Sequence, residues 1–222
     1  MARGMVGDET IRRDRMVEQL GQRGIIDRAV LRAMRSIPRE RFVEEALRGK
    51  AYKVDASLPI GDKQTISQPW VVARMSELVQ PDGSGRVLEV GTGSGYQAAV
   101  LSELFEQVYT VERIADLSRR ARRIVRELRL ENIHFKIFDG SYGWSEFAPY
   151  RAIVVTAGAP DLPAPLFEQL EEGGRLVIPI AGGPEEQEQA LVRFVKRDGQ
   201  PVREHHGTCR FVPLLGKFGW ER

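Results

Sequence analysis

The amino-acid sequence predicts an α/β protein with a doubly wound, mostly parallel β-sheet and a helical extension at its N-terminus. Three observations favour this class. From residue 70 onward, short apolar runs alternate with segments of helical periodicity. The first of these runs leads directly into a glycine-rich loop at residues 91–95. Residues 10–47, which precede this region, have the apolar spacing of amphipathic helices.

Size and composition indicate a soluble globular chain. Of 222 residues, 42% are hydrophobic and 29% are charged, which suits a domain that buries its own core. The formal net charge of +2 does not favour nucleic acid as a partner. The single cysteine, Cys209, excludes an internal disulfide and suits a reducing compartment. The sequence contains neither a membrane-spanning apolar run nor a signal-peptide core, so we expect a cytoplasmic protein, most simply a monomer.

The N-terminal part is expected to contribute helices and an active-site loop. Residues 1–9 read as a mobile tail, and residues 10–222 as one domain divided into segments 10–69 and 70–222. Gly21 and Gly24 separate two helical stripes, and Pro38 ends the second. Residues 51–69 have no period, and an irregular stretch of this length in a compact domain is usually functional or disordered.

The remainder of the chain alternates between strands and helices. We predict strands at 86–90, 107–111, 133–138, 152–156, 175–180 and 190–195, and helices at 71–79, 96–104, 114–128 and just before Leu170. This alternation predicts a parallel sheet covered on both faces. The last two strands have only a loop between them, which indicates an antiparallel edge.

The glycine loop has the chemistry of a site for a cation rather than for a phosphate. The pattern is E-x-G-x-G-x-G, formed by Glu89 and the loop residues Gly91, Thr92, Gly93, Ser94 and Gly95. A dinucleotide loop, G-x-G-x-x-G, would place its third glycine where Tyr96 stands. The Glu89 carboxylate would not help to hold a pyrophosphate, but it would help to hold the ammonium of S-adenosylmethionine, directly or through water. A tight turn without a ligand is the alternative. The pattern therefore favours a Rossmann-like, S-adenosylmethionine-dependent methyltransferase fold.

Two further acidic residues stand at strand ends. Glu112 closes the second strand, where a carboxylate can accept both ribose hydroxyls of a nucleoside. Asp139 closes the third strand, where it can accept from an adenine amino group, and Gly140 would leave room for the ring. The alternative for each acid is a helix N-cap or a turn residue, and a ribose-binding acid would suit NAD as well.

From about Gly24 to Trp220 the sequence resembles the protein-L-isoaspartate O-methyltransferases. The resemblance is carried by IPRERFV (37–43), LPIGDKQTISQP (58–69), VLEVGTGSGYQAAVL (87–101), VERI (111–114), Asp139-Gly140, VVTAGAP (154–160), GGRLVIPI (173–180) and FVPLLGKFGW (211–220). The glycine loop alone indicates only a class of methyltransferases, whereas QTIS and the later VPL are far more specific. There are two departures: Gly61-Asp62-Lys63-Gln64 replaces the usual PIGYGQ ending, and Gly158 stands where the family has alanine.

The resemblance implies methylation of the free carboxylate of L-isoaspartyl residues in damaged proteins and peptides. The ester then closes to a succinimide, and the cofactor leaves as S-adenosylhomocysteine. By family match, Ser67 is the active-site serine, and Val212, Pro213 and Leu214 close over the substrate. Thr65 and Ile66 line the cofactor pocket with Glu89, residues 91–95, Glu112, Asp139 and Gly140.

This chemistry suits the residues available. An aspartyl-type carboxylate, with an ordinary pKa of about 3.9, is already ionised at neutral pH, so transfer of a sulfonium methyl group needs no general base, metal or covalent intermediate. Alignment is then the main requirement, and the Ser67 hydroxyl could donate to one carboxylate oxygen. The alternative for Ser67 is an N-cap of a helix that starts at Trp70. His205 and His206 near Cys209 are weak evidence for a metal, and we expect them in a surface turn.

Other enzymes of the same fold remain alternatives, chiefly a nucleic-acid or small-molecule methyltransferase. Nucleic-acid amine methyltransferases typically carry Asn/Asp-Pro-Pro-aromatic after the fourth strand, where this chain has Thr156-Ala157-Gly158-Ala159-Pro160. A nicotinamide enzyme or a non-catalytic nucleotide binder is disfavoured by the early third glycine and by Glu89.

Overall fold

The structure, a computed structural model, describes residues 3–186 and 188–221. Helix α1 (Arg3–Gln22) and helix α2 (Arg28–Ser36) open the chain. Helix α2 begins where it does because the Asp27 carboxylate accepts hydrogen bonds from the first backbone N–H groups of the helix. The helical pattern was expected from residue 10, whereas α1 begins at Arg3, so residues 3–9 are helical; Met1 and Ala2 of the expected tail lie outside the described residues.

The segment expected to be irregular contains a small hairpin. Two 3₁₀ turns, Arg39–Phe42 and Glu45–Lys50, lead to strands β1 (Leu58–Gly61) and β2 (Gln64–Ile66), which pair antiparallel. Asp62 and Lys63 form the turn with φ of 53° and 57°, the left-handed conformation of a tight hairpin turn. Lys63 is therefore at an exposed turn, and it does not line the cavity described below. Helix α3 (Pro69–Leu78) follows directly.

The rest of the chain forms the predicted α/β sheet. Its elements in order are β3 (Arg86–Val90), α4 (Tyr96–Ser102), β4 (Gln107–Glu112), α5 (Ala115–Glu127), β5 (Ile133–Ile137), β6 (Tyr150–Val155), α6 (Ala164–Glu168), β7 (Leu170–Ile180), β8 (Gln189–Arg197) and β9 (Gln200–Cys209). The strand order is β5-β4-β3-β6-β7-β8-β9. Strands β5 to β7 are mutually parallel, whereas β8 and β9 pair antiparallel. The predicted fold class and antiparallel edge are thus confirmed, and the strand order switches direction at β3.

Strand β9 was missed by the sequence analysis. It carries His205 and His206, so the surface turn expected for them is wrong. This strand lies at the edge of the sheet and most of its side chains are exposed or half-buried. The apolar alternation that reveals a half-buried strand is therefore absent here.

Both faces of the sheet are covered, as predicted. Along β3, Leu88 and Val90 pack into the cluster that contains α6, whereas Val87 faces the cluster that contains α1 to α4. Because side chains alternate along a strand, Glu89 points to the same face as Val87. The N-terminal helices and the sheet share this one cluster, which supports the proposal of a single domain over residues 10–222.

Arg120 on α5 fastens the hairpin to the body of the domain. Its Nη2 donates to the Ile60 carbonyl at 2.8 Å, and the same nitrogen lies 3.7 Å from the Asp62 carboxylate. The hairpin is the segment that leads to Ser67, so this contact fixes the approach of the chain to the cavity.

Candidate active site

One cavity of about 410 Å³ lies at the carboxyl edge of β3 and β4, between the segment that follows β1 and the chain after β9. Thirteen of the predicted site residues line it: Thr65, Ile66, Ser67, Glu89, Gly91, Thr92, Gly93, Ser94, Glu112, Gly140, Val212, Pro213 and Leu214. Gly95 and Asp139 do not. The cavity is where an open parallel sheet binds ligands, because the strand order reverses beside β3.

Glu89 is fully buried and held by a chain of hydroxyl groups. Thr110 is its cross-strand neighbour on β4, and the Thr110 hydroxyl donates to Glu89 Oε2. The hydroxyl oxygens of Thr92 and Thr110 lie 2.5 Å apart. Because the hydroxyl proton of Thr110 is used in the hydrogen bond to Glu89, Thr92 is the donor in its contact with Thr110. The loop residue Thr92 therefore orients the carboxylate through Thr110.

The second oxygen of Glu89 is available to a ligand as a hydrogen-bond acceptor. Among the described residues Glu89 Oε1 has no hydrogen-bond partner, although it is buried. Burial raises the pKa of Glu89 to about 8, and the nearby Glu112 charge acts in the same direction. A buried, unpartnered carboxylate oxygen in a cavity wall fits a ligand cation, since an ammonium would supply both a donor and a compensating charge. The residues present therefore fit S-adenosylmethionine.

Glu112 binds the backbone of the loop and remains at the cavity wall. Its Oε2 accepts from the Gly93 N–H at 2.9 Å, and its Oε1 accepts from the Ile114 N–H at 2.8 Å. The N-cap position of α5 belongs to Ile114, so Glu112 acts as a turn residue rather than as the cap. Each carboxylate oxygen keeps acceptor capacity, and the structural role and the predicted ribose role are compatible.

Two of the loop glycines, Gly91 and Gly95, are required for different physical reasons. Gly91 has φ of +97°, and a Cβ there would lie 2.4 Å from the Thr156 hydroxyl, which donates to the Gly91 carbonyl. Gly95 also has positive φ, but its added Cβ would lie 3.0 Å from the Ala121 Cβ. Gly95 therefore brings α4 close to α5 instead of facing a ligand.

Asp139 bonds to the protein backbone and does not line the main cavity. Its carboxylate accepts from the N–H and hydroxyl of Ser141 and from the Lys217 N–H, and Asp139 is thereby the N-cap of the 3₁₀ turn Gly140–Tyr142, which is the N-cap alternative. It lines a smaller neighbouring cavity with Arg113 and Trp220. Gly140 does line the main cavity, but a Cβ there would lie 2.6 Å from Val90 Cγ1. Close packing against the Val90 side chain therefore gives this glycine a structural reason, and its predicted place beside the cofactor ring stays a prediction.

Ser67 presents a free hydroxyl to the cavity. Helix α3 begins at Pro69 with Gln68 as N-cap, so the alternative that Ser67 caps this helix is wrong. The Ser67 side chain is half-buried and forms no hydrogen bond with any residue that the structure describes. Its carbonyl accepts from Arg39 Nη2 at 2.6 Å. The backbone is thus fixed while the hydroxyl is available to a ligand.

The segment of Val212, Pro213 and Leu214 forms a fixed wall beside Gly158. The Gly158 N–H donates to the Val212 carbonyl, and the Leu214 N–H donates to the Gly158 carbonyl, both at 2.8 Å. The buried Gln189 side chain makes a matching pair of bonds with the backbone of Phe211. A Cβ on Gly158 would lie 2.8 Å from Gln189 Nε2. The family departure at Gly158 therefore makes room for Gln189.

Several lining residues were missed by the sequence analysis. They include Trp70, Arg113, Thr156 and Arg210. Thr156 directly follows β6, so the rule about carboxyl ends of parallel strands could have found it. Arg210 is exposed at the cavity wall and carries no signal beyond its charge.

No group of three or more His, Cys, Asp or Glu side chains that could hold a metal occurs within residues 3–186 and 188–221. Cys209 lines the cavity, but burial raises the pKa of its thiol to about 12. The thiol is therefore not ionised at neutral pH.

The sequence and the fold match one family throughout. The family profile of protein-L-isoaspartate(D-aspartate) O-methyltransferase matches residues 11–219. The protein-L-isoaspartate O-methyltransferase of Geobacter metallireducens is 55% identical over 212 residues, 95% of this chain and 96% of the relative. That of Syntrophus aciditrophicus is 50% identical over 207 residues, 93% and 94% of the two chains.

Two solved structures have the same fold. A protein-L-isoaspartate O-methyltransferase superposes with a TM-score of 0.85 at 35% identity, over 93% of this chain and 67% of the other. A beta-aspartate methyltransferase from Plasmodium falciparum, in complex with S-adenosyl-L-homocysteine, has a TM-score of 0.76 at 26% identity, over 91% and 98%. The chain therefore belongs to the protein-L-isoaspartate(D-aspartate) O-methyltransferase family.

Proposed function

We propose that this chain transfers the methyl group of S-adenosylmethionine to the free carboxylate of L-isoaspartyl residues in damaged proteins and peptides, which starts their repair through a succinimide. One observation carries the assignment. The same cavity holds an unpartnered, buried Glu89 oxygen, which suits a cationic cofactor, and a free Ser67 hydroxyl, which suits an anionic acceptor. Its family has the same activity in its name.

The residues of the chain divide between cofactor and substrate. S-adenosylmethionine supplies a methyl group activated by positively charged sulfur. Glu89 would hold its ammonium and Glu112 its ribose hydroxyls, and the positive φ of Gly91 and Gly93 shapes the loop that would surround it. Ser67 would donate to one oxygen of the substrate carboxylate and leave the other free to attack. The wall formed by residues 212–214 would keep water from the reacting groups.

The activity is tested with a matched pair of peptides. Purified protein with labelled S-adenosylmethionine should methylate a peptide that contains L-isoaspartate. The same peptide with normal aspartate should give at most a few per cent of that signal. Equal transfer to both peptides, or transfer to neither, would contradict the proposal.

Replacing Ser67 with alanine is expected to lower kcat by about 10- to 100-fold, because the acceptor carboxylate loses a hydrogen bond worth about 1.5–3 kcal/mol. The dissociation constant of S-adenosylmethionine should change by less than about threefold, since no cofactor group is assigned to the serine. Steady-state kinetics and calorimetry provide the two measurements. Ser102→Ala, which removes a hydroxyl bonded within α4, is the matched control and should leave kcat unchanged. A large loss of cofactor affinity in Ser67→Ala would show that the serine contacts the cofactor, which would contradict its assignment to the substrate.

The partners and the location of the chain are a separate proposal. Within the described ranges, none of the helices combines the length and apolar character that a bilayer span requires. We propose a cytoplasmic monomer that does not bind nucleic acid, in line with the near-neutral net charge of +2. Sedimentation and a salt-dependent DNA or RNA binding assay would test these points.

A further inference from the structure

Arg39 is a fully buried cation that does not line the cavity. Its Nε donates to the Ala51 carbonyl at 2.7 Å, and its Nη2 donates to the Ser67 carbonyl at 2.6 Å. Its guanidinium carbon lies 4.6 Å from the centre of the Tyr96 ring. Desolvation lowers the pKa of Arg39 to about 10, so the group remains charged at neutral pH.

The cost of burying this charge is not offset by a carboxylate. No ion pair of Arg39 occurs in the part of the chain that the structure describes, and its Nη1 has no hydrogen-bond partner there. The neighbouring Glu40 is used elsewhere, because it accepts from the Tyr52 hydroxyl. Burying an arginine without a counter-ion is unfavourable for stability alone, which indicates a purpose beyond packing.

The two carbonyls that Arg39 joins belong to the two ends of one segment. Ala51 directly follows the second 3₁₀ turn, and Ser67 follows β2, with the whole hairpin between them. A guanidinium can serve two acceptors at a fixed spacing through its planar fork, whereas a lysine ammonium cannot reproduce that geometry. Arg39 therefore ties the Ser67 backbone to the backbone at Ala51.

We propose that Arg39 is a positioning residue for Ser67: its guanidinium bridges the carbonyls of Ala51 and Ser67, and so holds the serine hydroxyl towards the acceptor carboxylate. The proposal rests on the role of Ser67 given above. The guanidinium bonds to the carbonyl of the same serine that carries this hydroxyl. Its positive charge therefore also favours a carboxylate there.

A double-mutant cycle tests this directly. The variants are Arg39→Lys, Ser67→Ala and the combination of the two, each in the full-length chain, with an isoaspartyl peptide as substrate. Arg39→Lys is expected to lower kcat/KM for the peptide by about 10- to 50-fold, with the dissociation constant of S-adenosylmethionine within about threefold. In the Ser67→Ala background the same change should cost less than about threefold, because residues that act through one another are not additive.

A matched control separates positioning from general support of the fold. Tyr52→Phe removes the bond to Glu40 in the same buried cluster without touching Ser67, and kcat/KM should stay within about threefold of the parent. Thermal unfolding is measured for every variant. If Arg39→Lys does not fold, Arg39→Gln, which keeps one donor group, replaces it in the cycle. Failure of both to bind S-adenosylmethionine would overturn the proposal in favour of a structural role.

The outcomes distinguish the proposed positioning role of Arg39 from the proposed role of Ser67, on which it rests. If Ser67→Ala has parental kcat, the serine assignment fails. If Ser67→Ala is impaired but the Arg39 and Ser67 losses multiply, only the positioning role of Arg39 fails. A loss of cofactor affinity equal to the loss in kcat/KM would also overturn it.

Discussion

Replacing Glu112 with alanine is expected to raise the dissociation constant of S-adenosylmethionine by about 100-fold or more. The carboxylate accepts from the Gly93 and Ile114 N–H groups, and only 6% of the residue is exposed. Its removal would leave two backbone donors without their partner and would also remove the acceptors proposed for the ribose. Hydrogen bonds to charged groups are each worth about 1.5–3 kcal/mol, so loss of the two proposed bonds from the ribose hydroxyls amounts to at least about 3 kcal/mol, more than a hundredfold in affinity.

Two controls sharpen this measurement. Glu112→Gln keeps the shape but places an amide NH₂ against one of the two N–H donors, so an intermediate loss is expected. Glu127→Ala removes an exposed carboxylate on α5 that pairs with Arg41, and cofactor affinity should remain at the parental value. Calorimetric titration with S-adenosylhomocysteine avoids turnover during the measurement. Parental affinity in Glu112→Ala would exclude a role for this carboxylate in cofactor binding.

The residues at the carboxyl ends of the strands could be predicted because topology alone brings them together. Glu89 and Glu112 end or nearly end β3 and β4, two parallel neighbours, and both were predicted at one site from the sequence. Ser67 was located through the resemblance, since no periodicity marks the segment around it. Its N-cap alternative could be rejected only once the start of α3 at Pro69 was known.

Other features could not be predicted because they depend on long-range contacts. Asp139 follows a strand like the other two acids, yet its carboxylate accepts a hydrogen bond from the Lys217 backbone N–H, which is distant in sequence. Strands β1 and β2 are too short to show a period. The two residues of their turn, Asp62 and Lys63, have positive φ but are not glycine, so the usual signal of a tight turn is missing. Arg39 stands in a segment that carried the resemblance, but nothing in the sequence says that its guanidinium reaches Ser67.

The buried carboxylate of Glu89 also makes cofactor affinity depend on pH. Its pKa of about 8 in the ligand-free protein, raised from 4.5 chiefly by desolvation, means that the group holds a proton at neutral pH. An ammonium at Oε1 would stabilise the ionised form and bring the pKa down again. Binding therefore releases a proton at neutral pH, and the dissociation constant should rise by nearly tenfold for each unit by which the pH falls below about 7.

The same shift affects the stability of the ligand-free protein. The folded state retains the Glu89 proton between pH 4.5 and about 8, whereas the unfolded state does not. The Glu89 contribution to the free energy of unfolding is therefore fully present below pH 4.5 and is lost as the pH rises through about 8.

Calorimetry between about pH 6 and 7 should reveal the linkage, because the α-amino group of the ligand, whose ordinary pKa is near 8, is then almost fully charged. Titrations of S-adenosylhomocysteine in two buffers of different ionisation enthalpy should show close to one proton released per ligand bound. Glu89→Gln cannot ionise, so its proton release should vanish and its affinity should lose the pH slope. Methylthioadenosine, which lacks the ammonium, serves as the matched ligand and should show no slope with the parent protein. A parental slope retained in Glu89→Gln would assign the titration to another group and would remove Glu89 from the ammonium site.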